Sequence, residues 1–164
     1  MIDGTIALRE GEQVDAGALL AWLARALPDL VPAGARLLIR PFPAGFSTLT
    51  YLVTIGREHE REHGRRALVL RRPPRGVKTG VAHDMGREHG ILTALHPSGV
   101  PVPKPLARCD DAAVIGAPFY LMEHVDGVIL RGTLPASFTE NAAAVPGTLA
   151  ALSQTFVRTL AQLH

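Results

Sequence analysis

The sequence contains a single cysteine, Cys109, among its 164 residues. One thiol excludes an intrachain disulfide and a zinc site built from cysteines. Lysine is almost as scarce, because Lys78 and Lys104 are the only two, and arginine supplies the rest of the positive charge. Aromatic residues make up 5% of the chain. So few aromatic side chains argue against a surface on which nucleic-acid bases stack.

Strong net charge and long apolar runs are also missing. Seventeen Lys and Arg residues stand against fifteen Asp and Glu residues, which leaves a formal net charge of +2. This charge gives no strong field toward nucleic acid or a membrane. No secretory leader and no stretch of membrane-spanning length is apparent, so the expected setting is soluble, reducing and cytoplasmic, without membrane contact. With 47% hydrophobic residues, the chain is expected to fold around a core rather than remain disordered.

Apolar periodicity predicts the order helix, three strands, helix, two strands, linker, helix. The first helix carries a stripe from Leu19 to Leu27 and is expected to be capped by Asp15. The predicted strands cover residues 35–41, 48–55, 67–72, 104–109 and 118–125, and the second helix covers residues 81–95. Residues 132–146 read as a linker before a last helix from about residue 147. Three strands joined locally indicate an antiparallel meander.

Two features of the first three strands are suited to an anionic ligand. The turn over residues 43–48 combines small residues with hydroxyl groups, and its amides can approach a phosphate. An ordinary hairpin turn is the commoner explanation of such a segment taken alone, and it is not a P-loop because the lysine and the following helix are missing. Arg71 shares a face of its strand with Val69, although an edge-strand charge is the commoner reason for such an arginine.

Two further features concern the second helix and the last strand. Glu88 lies on the same helical face as Met85 and Leu92, where an ionised carboxylate requires a partner. A helix rotated by about 100° would instead point this side chain to water. The apolar strand that follows Phe119 runs into Glu123 and ends near Gly127, which is typical of a hinge or of an ordinary strand end.

Taken in order, these features resemble the small lobe of the protein-kinase-like fold, in the aminoglycoside phosphotransferase and choline kinase branch. The sequence is most similar to the subgroup sometimes fused to acyl-CoA dehydrogenase. The resemblance spans about residues 36–164, and the matching stretches are Gly45-Phe-Ser-Thr-Leu-Thr-Tyr51, Leu68-Val-Leu-Arg-Arg-Pro-Pro74, Arg87-Glu88, Val100-Pro-Val-Pro103 and Gly116 through Gly127. It implies an α+β fold, with a five-stranded antiparallel sheet, a C-helix, an N-terminal helix and one large-lobe helix.

The resemblance also implies a division of the chain. Residues 1–125 would form the nucleotide-binding lobe, residues 126–146 a hinge and linker, and residues 147–164 the first helix of a truncated C-terminal lobe. The family's catalytic loop needs His-x-Asp with Asn five residues later. His83-Asp84 lacks this spacing, and His89 stands five residues after Asp84. The chain is therefore expected to be a fragment or a degenerate relative, without catalytic or metal-binding residues and inactive alone.

The activity implied for the full-length protein is ATP-dependent phosphoryl transfer to the hydroxyl of a small molecule, with Mg²⁺ bound only when the missing lobe is present. In this chain, Gly45, Ser47 and Thr48 would form the loop over the ATP phosphates. Arg71 stands where the family has a lysine or arginine that contacts the α- and β-phosphates, and Glu88 would be its ion-pair partner. The identity of the substrate and the choice between ATP and GTP stay open.

The resemblance assigns the base-binding part of the site to the strands and the hinge. Val53 and Val69 would cover the adenine ring, and Met122 would lie at the back of the pocket. The backbones of Glu123 and Val125 would hydrogen-bond the base. The family often has Gly-Gly-x-Ser-Asn in the phosphate loop, whereas residues 44–48 read Ala-Gly-Phe-Ser-Thr here.

Three segments of the sequence also allow other interpretations. Arginines cluster between residues 65 and 75, which suits a non-catalytic binding module for an anionic ligand, while nucleic acid is not expected at a net charge of +2. His59 and His63 have a spacing found in zinc sites, but they lie in a charged connection. The apolar stripe between Leu149 and Leu163 predicts self-association, unless that helix folds back on the small lobe or is disordered.

Overall fold

The computed structural model describes residues 12–43, 48–57, 65–74, 84–128 and 145–164, together with Phe138. Helix α1 spans Ala16–Ala26, α2 spans Met85–Leu95 and α3 spans Val145–Leu163. The strands are β1 Arg36–Pro41, β2 Leu49–Gly56, β3 Arg66–Arg72, β4 Pro105–Cys109 and β5 Phe119–Glu123. The charged connection with His59 and His63, and most of the predicted linker, lie outside the described residues.

The five strands form one sheet in the order β1-β2-β3-β5-β4. Every neighbouring pair in this sheet is antiparallel. The predicted α+β fold with a five-stranded antiparallel sheet is thus confirmed. The end of β3 follows from its sequence, because Pro73 and Pro74 have no amide hydrogen with which to continue a ladder.

Helix α1 covers one face of the sheet, called the α1 face here. The carboxylate of Asp15 accepts a hydrogen bond from the Ala18 amide at 2.9 Å, which confirms the predicted cap. Leu19 and Leu23 are fully buried against the sheet. The ring of Trp22 meets Phe119 edge-on, with centroids 4.9 Å apart. Burial of this apolar helix stripe fixes α1 on the sheet.

Arg72 is fully buried on the α1 face. Its Nε and Nη2 donate to the hydroxyl of Tyr51 at 3.3 and 3.0 Å, and its Nη1 donates to the Ile115 carbonyl at 3.2 Å. The Tyr51 hydroxyl in turn donates to the Glu12 carbonyl at 2.7 Å. Arg72 therefore links β3 to β2 and to the segment between β4 and β5, and Tyr51 extends this link to the residues before α1. This role is structural.

Helix α2 lies on the opposite face, called the α2 face, where it packs against β4 and β5. Its first turn is capped by Asp84, whose carboxylate accepts from the Arg87 amide at 2.9 Å. The predicted start at residue 81 lies outside the described residues. Met85 is 2% exposed and anchors the start of the helix. Glu88 follows Met85 by three residues and therefore lies on the same side of the helix.

Helix α3 begins at Val145, two residues before the predicted start. None of its residues is buried, and the apolar side chains of Leu149, Phe156, Leu160 and Leu163 are exposed. Within the described ranges, no helix is both long and apolar enough to cross a bilayer. The predicted stripe is therefore present and open, and self-association through it stays a prediction.

Candidate functional site

The pairing of the strands determines which side chains share the α2 face. Leu52 pairs with Val69, and Val69 pairs with Met122. Arg71 pairs with Tyr120 on β5. Since directly paired residues of antiparallel strands point to the same side, these five side chains lie on one face of the sheet. Leu52, Val69 and Met122 form one row across the sheet. Arg71 and Tyr120 belong to the next row, two residues away along their strands.

Val53 and Val69 were both predicted to cover the adenine ring, but the structure places them on opposite faces of the sheet. Val53 pairs with Leu68 and is fully buried in the core on the α1 face, so the sheet separates it from Val69. The β2 residue that shares a face with Val69 is Leu52. The alternation along each strand was visible in the sequence, but the register across the hairpin was not. A slip of one residue exchanges the two faces.

Arg71 and Glu88 form an ion pair on the α2 face. The Arg71 Nη1 lies 3.0 Å from the Glu88 Oε2, and the two side chains are 31% and 28% exposed. Glu88 therefore faces the sheet, and the alternative helix rotation that would point it to water does not occur. The partner that the resemblance implied for this carboxylate is the one present. The pair is half-buried, so solvent screens it less than an exposed surface pair.

Tyr120 joins this ion pair as a third member, which sequence reasoning missed. Its hydroxyl donates to the Glu88 Oε2 at 3.0 Å and accepts from the Arg71 Nη1 at 3.5 Å. Burial, followed by the opposing effects of Arg71 and Glu88, raises the pKa of Tyr120 to about 12. The phenol therefore keeps its proton near neutral pH. Its position, two residues before Met122, was the available signal, because it places Tyr120 on the same face.

The guanidinium of Arg71 has unused donor capacity. Its Nε is buried and has no hydrogen-bond partner among the described residues. The contacts to Glu88 and Tyr120 both use Nη1. Buried polar groups are nearly always satisfied, so an orphaned donor beside a partly exposed cation marks a place where an anionic oxygen is favourable.

Further charged and aromatic groups lie near Tyr120, on β4 and on α2. Arg108 forms an ion pair with Asp110, with Nη2 and Oδ2 2.8 Å apart. The ring of His89 meets Tyr120 edge-on at a centroid distance of 5.9 Å. Burial, and then the charge of Arg108, lower the pKa of His89 below 6.5, so this ring is neutral at neutral pH. The aromatic contact fixes the Tyr120 ring from the helix side.

The two backbones predicted to bind the base lie at the last residue of β5, Glu123, and two residues beyond it, at Val125. The Glu123 amide donates to the Lys104 carbonyl at 2.9 Å, and the Glu123 Oε1 accepts from the Lys104 amide at 3.0 Å. The N–H of Glu123 is therefore engaged, and a hydrogen bond from its backbone to a base would have to use its carbonyl oxygen. Val125 comes two residues later and is 60% exposed.

The accessible part of the α2 face is its charged end. Leu52 and Val69 are 1% and 7% exposed, whereas Arg71 is about one-third exposed. Thr48, at the start of β2, is 3% exposed. The other two predicted loop residues, Gly45 and Ser47, lie outside the described residues. Of the described residues of the predicted site, Arg71, Glu88, Met122 and Glu123 are thus partly open to a ligand, and Val125 is exposed.

His124 and Asp126 form a His-x-Asp pair that was not singled out from the sequence. The His124 Nδ1 lies 3.5 Å from the Asp126 Oδ1. Arg131 stands at the fifth position after Asp126, where the catalytic-loop pattern requires Asn. This pair therefore does not complete the His-x-Asp-x-x-x-x-Asn pattern.

Comparison with known proteins adds independent support for this arrangement. The model of the phosphotransferase enzyme family APH matches residues 38–164. The chain is 38% identical to acyl-CoA dehydrogenase family member 11 of Gallus gallus over 163 residues, which are 98% of this chain and 19% of that protein. It is 48% identical to acyl-CoA dehydrogenase family member 10 of Mus musculus over 66 residues, which are 40% of this chain and 6% of that protein.

A solved structure is also similar to this chain. A protein assigned as an aminoglycoside phosphotransferase from Ralstonia eutropha JMP134 superposes with a TM-score of 0.53 at 28% identity, over 81% of this chain and 37% of that chain. The chain thus spans about a fifth of the length of the curated relative from Gallus gallus. The resemblance to the branch found with acyl-CoA dehydrogenase is confirmed. With a kinase-like small lobe and a family model matched over most of its length, the chain belongs to the phosphotransferase enzyme family.

Proposed function

We propose that this domain binds the phosphates of ATP at Arg71, as the N-terminal lobe of a phosphotransferase that acts on a small-molecule hydroxyl. The observation that carries the proposal is the Arg71–Glu88 ion pair at 3.0 Å, together with the orphaned Nε of Arg71. Such an ion pair between a strand and a helix holds the cation that contacts ATP phosphates in kinases. When bound, ATP supplies the phosphoryl group that is transferred.

The polarity of the sheet agrees with this proposal. Arg71 pairs with Thr50, and the turn over residues 43–48 precedes Thr50 along the chain. Thr48, the last residue of that turn, therefore stands two residues before the strand partner of Arg71. The hinge after Glu123 lies toward the other end of β5. A nucleotide aligned along β3 would have its phosphates at Arg71 and its base toward the hinge.

The base-binding part is proposed for the apolar row next to the ion pair. Val69, Leu52 and Met122 lie one row, or about 7 Å, from Arg71 toward the hinge. Their side chains suit the flat faces of a purine. Because Leu52 and Val69 are almost inaccessible in this structure, contact with a base requires that the atoms covering them move. Val125 offers an accessible backbone beside this row.

Arginine at this position has consequences for the phosphates. Its planar guanidinium presents several N–H groups and can bridge two phosphate oxygens, whereas a lysine ammonium acts as a point charge. Glu88 contacts the guanidinium at Nη1, and the buried Nε has no partner among the described residues, so a phosphate oxygen would reach Nε only after the guanidinium turns. Substitution of Arg71 by lysine would therefore keep the positive charge but lose the planar guanidinium that can bridge two phosphate oxygens.

Transfer itself needs groups that this sequence does not contain. The pattern His-x-Asp-x-x-x-x-Asn is absent from all 164 residues, so the general base and the Mg²⁺ ligands would have to come from residues outside them. Among the described residues, no three His, Cys, Asp or Glu side chains cluster closely enough to hold a metal ion. We therefore expect the chain alone to bind ATP and to show no phosphoryl transfer.

Isothermal titration of the chain with ATP tests the proposal. Arg71→Ala should weaken ATP binding by about tenfold or more, because it removes charge-assisted hydrogen bonds. Arg66→Ala is the matched control, since Arg66 is an exposed arginine on the same strand but has the α1-face parity. Equal loss of affinity in both variants would contradict the proposal.

A separate titration distinguishes ATP binding from the alternative of a general anion-binding module. Inorganic tripolyphosphate carries the charge of ATP but has no base for the apolar row to contact. Nucleotide binding predicts that it binds more weakly than ATP. Tripolyphosphate that binds as tightly as ATP would favour the anion-binding module instead.

A further inference from the structure

One oxygen atom of Glu88 accepts two hydrogen bonds from very different donors. The Arg71 Nη1 and the Tyr120 hydroxyl each lie 3.0 Å from the Glu88 Oε2. Tyr120 is 1% exposed, whereas the side chain of Arg71 is 31% exposed. The carboxylate is thus held by one buried neutral donor and by one partly exposed cation.

The two donors also differ in their freedom to move. Tyr120 has only two side-chain torsions, and its ring is fixed on a central strand by the edge contact with His89. Arg71 has a long flexible side chain and an Nε without a partner among the described residues. A new anionic oxygen would therefore draw the guanidinium, while the phenol would keep its place.

From this asymmetry we propose that Tyr120 is a positioning residue, whose hydroxyl holds the Glu88 carboxylate in place while the Arg71 guanidinium turns toward phosphate. The inference rests on the proposed function, because it assumes that Arg71 contacts the phosphates. Without the phenol, Glu88 would depend on Arg71 alone. The carboxylate would then compete with phosphate for the same N–H groups.

The environment of Tyr120 keeps its hydroxyl protonated and therefore able to donate a hydrogen bond. The groups facing Tyr120 are Arg71 on β3, Glu88 and His89 on α2, and Arg108, which pairs with it on β4. His89 is neutral near neutral pH because burial and Arg108 lower its pKa. Burial raises the pKa of Tyr120 to about 12, so the hydroxyl stays protonated near neutral pH. Tyr120 therefore contributes a hydrogen bond without adding charge beside the phosphates.

The test compares Tyr120→Phe with the unchanged chain in two titrations followed by nuclear magnetic resonance, one with ATP and one with adenosine. Loss of the phenol should weaken ATP binding by about three- to tenfold, the range that one hydrogen bond accounts for. Adenosine has no phosphates, so its affinity should not change. A variant that merely packs badly would lose both ligands alike.

Two further variants make the test specific. Tyr51→Phe removes the other phenol of the chain, which lies on the α1 face, and should leave ATP affinity unchanged. In a Glu88→Gln background, Tyr120→Phe should have a smaller effect, because the charged acceptor is gone. Circular dichroism melting of each variant reports whether it folds.

The outcomes separate this inference from the proposal on which it rests. Unchanged ATP affinity in Tyr120→Phe, or equal losses for ATP and adenosine, would overturn the positioning role. If Arg71→Ala weakens ATP binding in the same series, the proposed function survives that result. If Arg71→Ala leaves ATP affinity unchanged, both are wrong.

Discussion

The guanidinium of Arg108 lies against the first turn of α2 at Gly86. A Cβ on Gly86 would come within 3.0 Å of the Arg108 Nη1 and within 3.1 Å of the Asp84 Oδ1 that caps the helix. The missing side chain thus lets β4 and its ion pair approach the helix that carries Glu88.

Alanine substitutions at the two glycines inside α2 should therefore differ. Gly90 has nothing within 4 Å of a built Cβ, so Gly90→Ala should stabilise the chain by about 0.5–1 kcal/mol through helix propensity. Gly86→Ala gains the same propensity but must displace Arg108 and disturb the cap, so it should be less stable than Gly90→Ala. Urea unfolding measures both. Equal gains would show that the Arg108 contact has no effect on stability.

Alkaline pH should unfold the chain partly through Tyr120. Its pKa is raised from 10.0 to about 12 in the fold, so the folded state retains a proton that the unfolded state releases. The corresponding stability is fully present below pH 10 and is lost as the pH rises toward about 12. Tyr120→Phe should remove this loss. Ultraviolet absorbance should also lack a phenolate titration step near pH 12 in that variant, and an unchanged titration curve would contradict the assignment.

Acid should act through His89 with the opposite sign. Its pKa lies below 6.5 in the fold, first because of burial and then because of Arg108, so unfolding takes up a proton. The stability from the neutral ring is present above pH 6.5 and is lost as the pH falls through the folded-state pKa. His89→Gln should make the melting temperature less dependent on pH in this acidic range. An identical pH profile in the variant would show that His89 is not the group responsible.

How much of the site the sequence predicts depends on the kind of information each residue needs. Glu88 was identified because a carboxylate on an apolar helix face requires a partner, and Arg71 because it shares a strand face with Val69. Both arguments use periodicity within one element, which a sequence displays directly. The ion pair between them joins a strand to a helix, and the family resemblance supplied it.

The errors arose where two strands had to be aligned. Val53 and Val69 were both assigned to the adenine ring, but the register of β2 on β3 puts Leu52, not Val53, on the face of Val69. The connection between these strands is too long for a short turn type to fix the register. Tyr120 was missed for a similar reason, since its hydroxyl meets Glu88 only after β5 has paired with β3 and α2 has packed across both.

The exposed stripe of α3 leads to a prediction about oligomeric state. Phe156 is 65% exposed and Leu160 is 41% exposed, and an apolar surface of this kind favours association. We expect light scattering to show a species larger than the 17.5 kDa monomer. Phe156→Glu should shift the chain toward monomer, whereas Gln154→Glu on the same helix should not. A monodisperse monomer for the unchanged chain would contradict this expectation.

The central claim, that the Arg71 guanidinium binds phosphate, is tested most directly by the side-chain Nε–Hε resonance of Arg71. This N–H has no acceptor among the described residues. Nuclear magnetic resonance of the nitrogen-labelled chain can follow it through an ATP titration, with the signal assigned by its loss in Arg71→Lys. If the Arg71 guanidinium binds phosphate, this resonance should shift far downfield with ATP and shift little with adenosine. A resonance that stays in place while ATP saturates the chain would contradict the account.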